Sequence, residues 1–280
     1  MSKLYKVQPG DTLSKIATRF SIHLGDLLAA NPGIRNPNAI FKGQMIIIPE
    51  KIGQGRAQTS GGGRPAAATP RAPLDTLLSL EYLSPFCGAS AEDKNMEFSR
   101  LKHVADRIAT DHKVTRRADW GTMKPDLSKL DMDGCYNTVV IHHTGDGSTQ
   151  SLAAIERKHM QENGWSNVGY HYIVDRAGKI HEGTPLGYKG THVKAANTGK
   201  IGIVLIGDYD HQIWDFSDDD LPAVQLDAAV NLIKSLKTFT GTQALGGHRD
   251  FVPGADCPGE LLYGKLGDIR TRTKLAGPKK

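Results

Sequence analysis

TVVIHHTGDG, residues 138–147, decides the architecture of this chain. The β-branched run Thr138 to Ile141 lies between Tyr136-Asn137 and Gly145-Asp146-Gly147, which reads as a buried strand running into a glycine-rich loop. Working outward, Ser151 to Asn163 has helical spacing, with Leu152, Ile155 and His159 on one side. Tyr170 to Val174 is a second strand, and Asp175-Arg176-Ala177-Gly178 turns it back into Lys179 to Glu182. Gly202 to Gly207 is a third, and Leu221 to Phe239 repeats Leu226, Ala229, Val230, Ile233 and Leu236 at helical intervals. Strands alternating with helices predict an α/β layered domain with a mixed sheet.

The rest of the chain is of different make. Lys51 to Pro73 reads KIGQGRAQTSGGGRPAAATPRAP, too poor in large apolar side chains to offset its ordering entropy, and is expected to be a flexible tether. Before it, an alternating strand over Lys3 to Gln8 stops at Pro9-Gly10-Asp11. Thr12 then caps a helix carrying Leu13, Ile16, Ala17 and Phe20, Leu24 to Leu28 supports a second helix ended by Asn31-Pro32-Gly33, and MIIIP closes with a strand. The expected division is a βααβ module over 1–50, the tether over 51–74, a helical extension over 75–113 and the α/β body over 114–280. In the extension, Leu77 to Leu83 form one short amphipathic run, and Phe98, Leu101, Val104, Ala105 and Ile108 fit a helix packed on the body.

Composition narrows the function. With 39% hydrophobic and 23% charged residues over 280 positions, the chain can fill a core, which excludes a disordered tail. No apolar run exceeds four residues, so no membrane span is expected. MSKLYKVQPGDTL has no apolar core of a Sec signal, so the chain is expected to be made in the cytoplasm and to reach any outer compartment by another route. Residues 1–74 carry 10 Lys and Arg against 3 Asp and Glu, a basic front facing a near-neutral body and suited to a polyanion. These charges are scattered and lack a recognition helix, which leaves no nucleic-acid partner; a monomer is expected. Three cysteines, Cys87, Cys135 and Cys257, are an odd number and predict no disulfide framework.

Chemistry concentrates in the body, at His142-His143, at His171, His181 and His192, at Tyr170 within VGYHY, and in GHRDFVPGADCPG at 247–259. Side chains at a strand terminus before a glycine-rich loop project into a crevice, which places His142 to meet His248. Cys257 follows nine residues later in a loop bounded by Pro and Gly. Two imidazoles and one thiolate leave tetrahedral Zn2+ one open position for water, as in a catalytic zinc site. There is no HExxH and no paired CxxC.

Two resemblances sharpen this reading. YKVQPGDTLSKIATRF, LAANPGI and KGQMIIIP resemble a LysM domain over residues 3–50. The resemblance implies binding of N-acetylglucosamine glycans, with Gly10, Asp11 and Thr12 at one turn and Asn31 and Pro32 at the other as the sugar-contacting positions. RADWG at 117–121, TVVIHHTGDG, NGWSNVGYHYIVDRAGKIHEG at 163–183, GTHVKAANTGKIGIVLIGDY at 190–209 and GHRDFVPGADCPG together resemble the zinc amidases of the peptidoglycan recognition protein and phage amidase family, over about 114–265. This implies cleavage of the amide between N-acetylmuramic acid and L-alanine, with His142, His248 and Cys257 as Zn2+ ligands. It also implies Tyr170 as the active-site tyrosine and His192 and Asn197 as groove residues that bind substrate. Ala255 departs from the pattern, since Lys or Thr commonly stands two residues before the third ligand. Val204 replaces the glutamate of cytosolic muropeptide-recycling amidases, which leaves that role to Tyr170.

Other readings stay open at this point. A noncatalytic peptidoglycan binder is one, although such members typically carry serine in place of Cys257. A thiol hydrolase with Cys257 as nucleophile and His248 as base is another. An amidase of this kind would reach the wall of the periplasm by phage lysis, as an endolysin, or by injection through a specialised secretion system, in which case an immunity protein or a secretion component would be its partner.

Overall fold

A computed structural model of the chain describes residues 3–31, 34, 40, 43–49, 91–145, 150–210 and 220–278. The tether, the Leu77 to Leu83 run, Pro32 and Cys87 lie outside the described residues.

The N-terminal module is the expected βααβ unit. Strand β1 (Lys3–Lys6) is followed by helices α1 (Leu13–Phe20) and α2 (Leu24–Ala29) and pairs antiparallel with β2 (Met45–Ile48). Thr12 caps α1, its hydroxyl accepting from the Lys15 N–H at 3.2 Å. Val7, Leu13, Ile16, Ala17, Leu27, Ile46 and Ile48 form the core. Two of the residues expected to meet sugar also bond within the fold. The Asn31 side chain donates to the carbonyls of Leu27 (2.6 Å) and Ile47 (2.8 Å) and accepts from the Ile47 N–H (2.8 Å), tying α2 to β2. The Asp11 carboxylate accepts from the Tyr5 hydroxyl (2.6 Å) and the Gln8 N–H (2.7 Å) and pairs with Arg19 (3.4 Å), which shapes the turn. Polar side chains engaged in this way stabilise the turns.

The helix expected over Phe98 to Ile108 packs on the body. Helix α3 (Ala91–Asp111) buries Leu101, Val104, Ala105 and Ile108 in the same core as the sheet. After the short helix α4 (Arg117–Trp120) come β3 (Met132–Asp133), β4 (Thr138–His143), α5 (Leu152–Glu156), β5 (Tyr172–Val174), β6 (Ile180–Glu182), β7 (Gly187–Tyr188) and β8 (Lys200–Leu205). Helix α6 (Ala223–Thr240), β9 (Ala244–Gly247), α7 (Glu260–Gly264) and α8 (Leu266–Thr273) complete the described elements. The main sheet has the order β6-β5-β8-β4-β9, with β5, β8, β4 and β9 parallel and β6 antiparallel to β5. This is the mixed sheet flanked by helices that the alternating pattern predicts.

Strand alternation gives the sheet two different faces. Val139 and Ile141 of β4, with Ile201, Ile203 and Leu205 of β8, meet α3, α6 and α8 in the large core. The opposite face carries Val204 and Ile173 with Ile155 and Val168, and His142 and Gly202 share its register.

Two local expectations fail for identifiable reasons. The helix over 151–163 is α-helical only to Glu156 and then widens into a π-turn over Arg157–Glu162. Within the widened turn the His159 ring accepts from the Gly169 N–H at 3.0 Å, outside the helical ladder. Cys135 is disulfide-bonded and Cys257 is a free thiol, which corrects the expectation of no disulfide; an odd count guarantees one unpaired thiol and nothing more.

Candidate metal centre

The parallel sheet brings the two histidines together. Ile141 of β4 pairs in register with Gly247 of β9, so the next residues along, His142 and His248, emerge side by side at the carboxyl ends of neighbouring strands. Their ring centroids are 4.8 Å apart. The loop after β9 returns Cys257, held by a hydrogen bond from the Arg249 N–H to its carbonyl at 3.0 Å. Its Sγ lies 3.5 Å from His142 Nδ1. One donor atom each from His142, His248 and Cys257 falls within 4.8 Å of the others.

This set fits tetrahedral zinc. Zinc bonds of about 2.0–2.1 Å to nitrogen and about 2.3 Å to sulfur place the two ligands about 3.5 Å apart at the tetrahedral angle. His248 Nε2 is buried with no hydrogen-bond partner, as expected of a nitrogen reserved for a ligand. Burial, reinforced by His192 and His248, holds His142 well below the usual imidazole range, and burial followed by the charge of Lys194 lowers His248. Both rings are therefore neutral, the form that coordinates a metal. Burial pushes the Cys257 thiol up to about 12. That value disfavours a self-activated thiol nucleophile, because a thiol of this kind ionises only beside a cation.

Tyr170 is half-buried, its ring 5.2 Å from that of His142 and 5.2 Å from that of His159. His143 turns away to the large-core face, where its Nδ1 accepts from the Tyr209 N–H at 3.2 Å. It lies 3.9 Å from the carboxylates of Asp208 and Asp210. His171 and His181 have other partners: His171 bridges the Gly202 N–H and the Tyr188 carbonyl, and His181 bonds Asp175 at 3.1 Å.

His192 and Asn197, expected to line the groove, are both turned inward. Asn197 Oδ1 accepts from the backbone N–H groups of His192 (2.8 Å) and Val193 (2.7 Å), and the His192 ring meets His142 at 3.0 Å. Two nearby residues were not marked as site residues by spacing. His159 supports the far side of Tyr170, with the tilted Trp165 ring 4.7 Å away, and Lys194 places its charge near His248. The first is reached through a π-turn and the second through a loop residue at φ 46°, neither of which a periodicity reveals.

Fold and site together define an α/β protein in which two histidines at the ends of adjacent parallel strands and one cysteine of the following loop could hold a metal ion. Residues 133–260 match the N-acetylmuramoyl-L-alanine amidase family model, and residues 5–49 match the LysM domain model. The chain is 30% identical over 176 residues to peptidoglycan-recognition protein LB of Drosophila melanogaster, an alignment that covers 59% of this chain and 71% of that protein. It is 27% identical over 212 residues to an N-acetylmuramoyl-L-alanine amidase of Sus scrofa, covering 68% of this chain and 34% of that one. A solved structure of Drosophila PGRP-LB aligns with a TM-score of 0.48 at 26% identity, over 60% of this chain and 98% of that one. The chain belongs to the family of peptidoglycan-recognition proteins and N-acetylmuramoyl-L-alanine amidases, with a LysM domain ahead of the family domain.

Proposed function

We propose that the chain is a zinc-dependent N-acetylmuramoyl-L-alanine amidase that releases stem peptides from peptidoglycan and is held on the wall by its LysM domain. The observation that carries this reading is the convergence of His142, His248 and Cys257 donor atoms within 4.8 Å. A zinc ion held there supplies the Lewis acidity that amide hydrolysis needs at neutral pH.

The protein's own groups do the remaining work. His142 and His248 as neutral imidazoles and Cys257 as a thiolate would hold the ion, with the thiol proton passing to solvent. Tyr170 presents its ring at the edge of the triad, and its hydroxyl donates to the oxygen that gains negative charge as the amide is attacked. His159 and Trp165 hold the Tyr170 ring from behind. In the LysM domain, Gly10 at φ +78° with open space around it, together with Thr12, offers the turn backbone to N-acetyl groups.

A second reading, peptidoglycan recognition without cleavage, draws support from Ala255, which brings no donor to its position. Digestion of purified peptidoglycan with and without a chelator, followed by mass spectrometry, separates the two. The amidase releases free stem peptides from uncut glycan, loses that activity to the chelator and regains it with zinc. Binding without release in the presence of zinc leaves the recognition reading in its place. Cys257→Ser abolishes release while retaining glycan binding; undiminished turnover by this variant would remove Cys257 from the ligand set.

A further inference from the structure

We propose that His192 is a positioning residue that selects which nitrogen of His142 faces the metal; the proposal rests on the zinc reading above. An imidazole in a crowded site has two orientations related by a ring flip, and only one points Nδ1 at Cys257. In this protein His142 Nε2 lies 3.0 Å from His192 Nδ1 while His142 Nδ1 lies 3.5 Å from Cys257 Sγ. Ligation through Nδ1 requires the His142 proton on Nε2, so His142 Nε2–H donates and His192 Nδ1 accepts. A metal-bound imidazole usually donates its second N–H to a carboxylate, a carbonyl or water. Here a second imidazole takes that place, 5.0 Å away and nearly perpendicular.

The His192 ring is itself built into position. A Cβ at Gly202 would stand 2.6 Å from it and a Cβ at Gly190 also 2.6 Å, so these two glycines form the cradle. Asn197 Oδ1 binds the His192 and Val193 amides and fixes the backbone that carries the ring. The line of constraint runs from Asn197 through the His192 main chain to its ring, and from there to His142. Buried in this arrangement, His192 acts on the metal through another residue and has no need to touch substrate.

The test measures zinc affinity of the full chain by competition with a chromophoric chelator, with a thermal melt of each metal-free protein alongside. His192→Phe fills the glycine cradle but offers no acceptor, and zinc binds about 10–100-fold more weakly. His192→Asn restores an acceptor near the Nδ1 position and brings affinity back to within a few-fold of wild type. If the Phe protein does not fold, His192→Gln, whose amide oxygen lies one bond too far out, takes its place with the same expected loss. Wild-type affinity in the Phe or Gln protein overturns the proposal, as does equal weakening in the Asn protein. A raised KM with unchanged zinc affinity assigns His192 to the groove and also overturns it. Failure of the wild-type chain to take up zinc is a different result, because it removes the metal reading from which this one starts.

Discussion

Tyr170 is the side chain on which turnover and binding separate most clearly. Its ring is pinned between those of His142 and His159, so the Tyr170→Phe change keeps the packing and removes only the hydroxyl. Loss of one donor aimed at a developing oxyanion costs about 10²–10³ in kcat. We expect a decrease of that order on a soluble muropeptide, with zinc affinity unchanged, measured by steady-state kinetics and metal titration. An equal loss of metal binding would show that Tyr170 serves the ligand set instead. His142 and His143 make the complementary point. Adjacent in sequence, they occupy opposite faces of β4, and only His142 shares its face with Tyr170 and His192.

At the scale of elements, the junction of α4 with the helix that widens at Arg157 is held by one buried carboxylate. Glu156, fully buried at the end of α5, accepts from the Thr122 hydroxyl (2.5 Å), the Met123 N–H (3.0 Å) and the Arg117 guanidinium (2.5 Å). Burial by itself would raise its pKa, but these donors outweigh it and leave the carboxyl at about 2 against an ordinary 4.5. Because the folded form prefers the ionised carboxylate, its contribution is fully present above about pH 4.5 and disappears as pH falls toward 2. Urea midpoints of wild type and Glu156→Ala should therefore converge across that window. Near pH 7, Glu156→Ala leaves the Arg117 charge buried without its partner and costs about 3–5 kcal/mol of stability. A loss near zero in chemical denaturation would mean that Arg117 finds water or another acceptor.

For the whole molecule, the proposed function joins a LysM domain to an amidase domain on one chain, which would make attack on an insoluble polymer a local event. Linking two sites raises avidity by up to about 10²–10⁴ when both can engage together. Removing residues 1–50 is expected to leave hydrolysis of a small soluble muropeptide unchanged and to slow digestion of intact sacculi by at least tenfold at low enzyme concentration. Equal rates on sacculi would deny the LysM domain a targeting role. Among the described residues no helix is long and apolar enough to cross a membrane.

Much of this protein was legible in its residues because the governing interactions are local. The βααβ order of the LysM domain, the Thr12 cap, the buried β4 and the long helix over 223–240 follow from turn chemistry and from the 2.0 and 3.6 residue periods. His142, His248 and Cys257 were also nameable, though 115 positions separate the first from the last. Sequence alone could not reveal that β4 and β9 are neighbours in register, and it is that pairing which brings the two histidines within reach of one ion. Nor could it show that Asp11, Asn31, His192 and Asn197 turn inward, since a polar side chain beside a turn looks the same whether its partner is a ligand or a distant backbone amide. Periodicity reports which face of an element is apolar; the partner of a buried polar atom is set by contacts far away along the chain, and these exist only once the layers have packed.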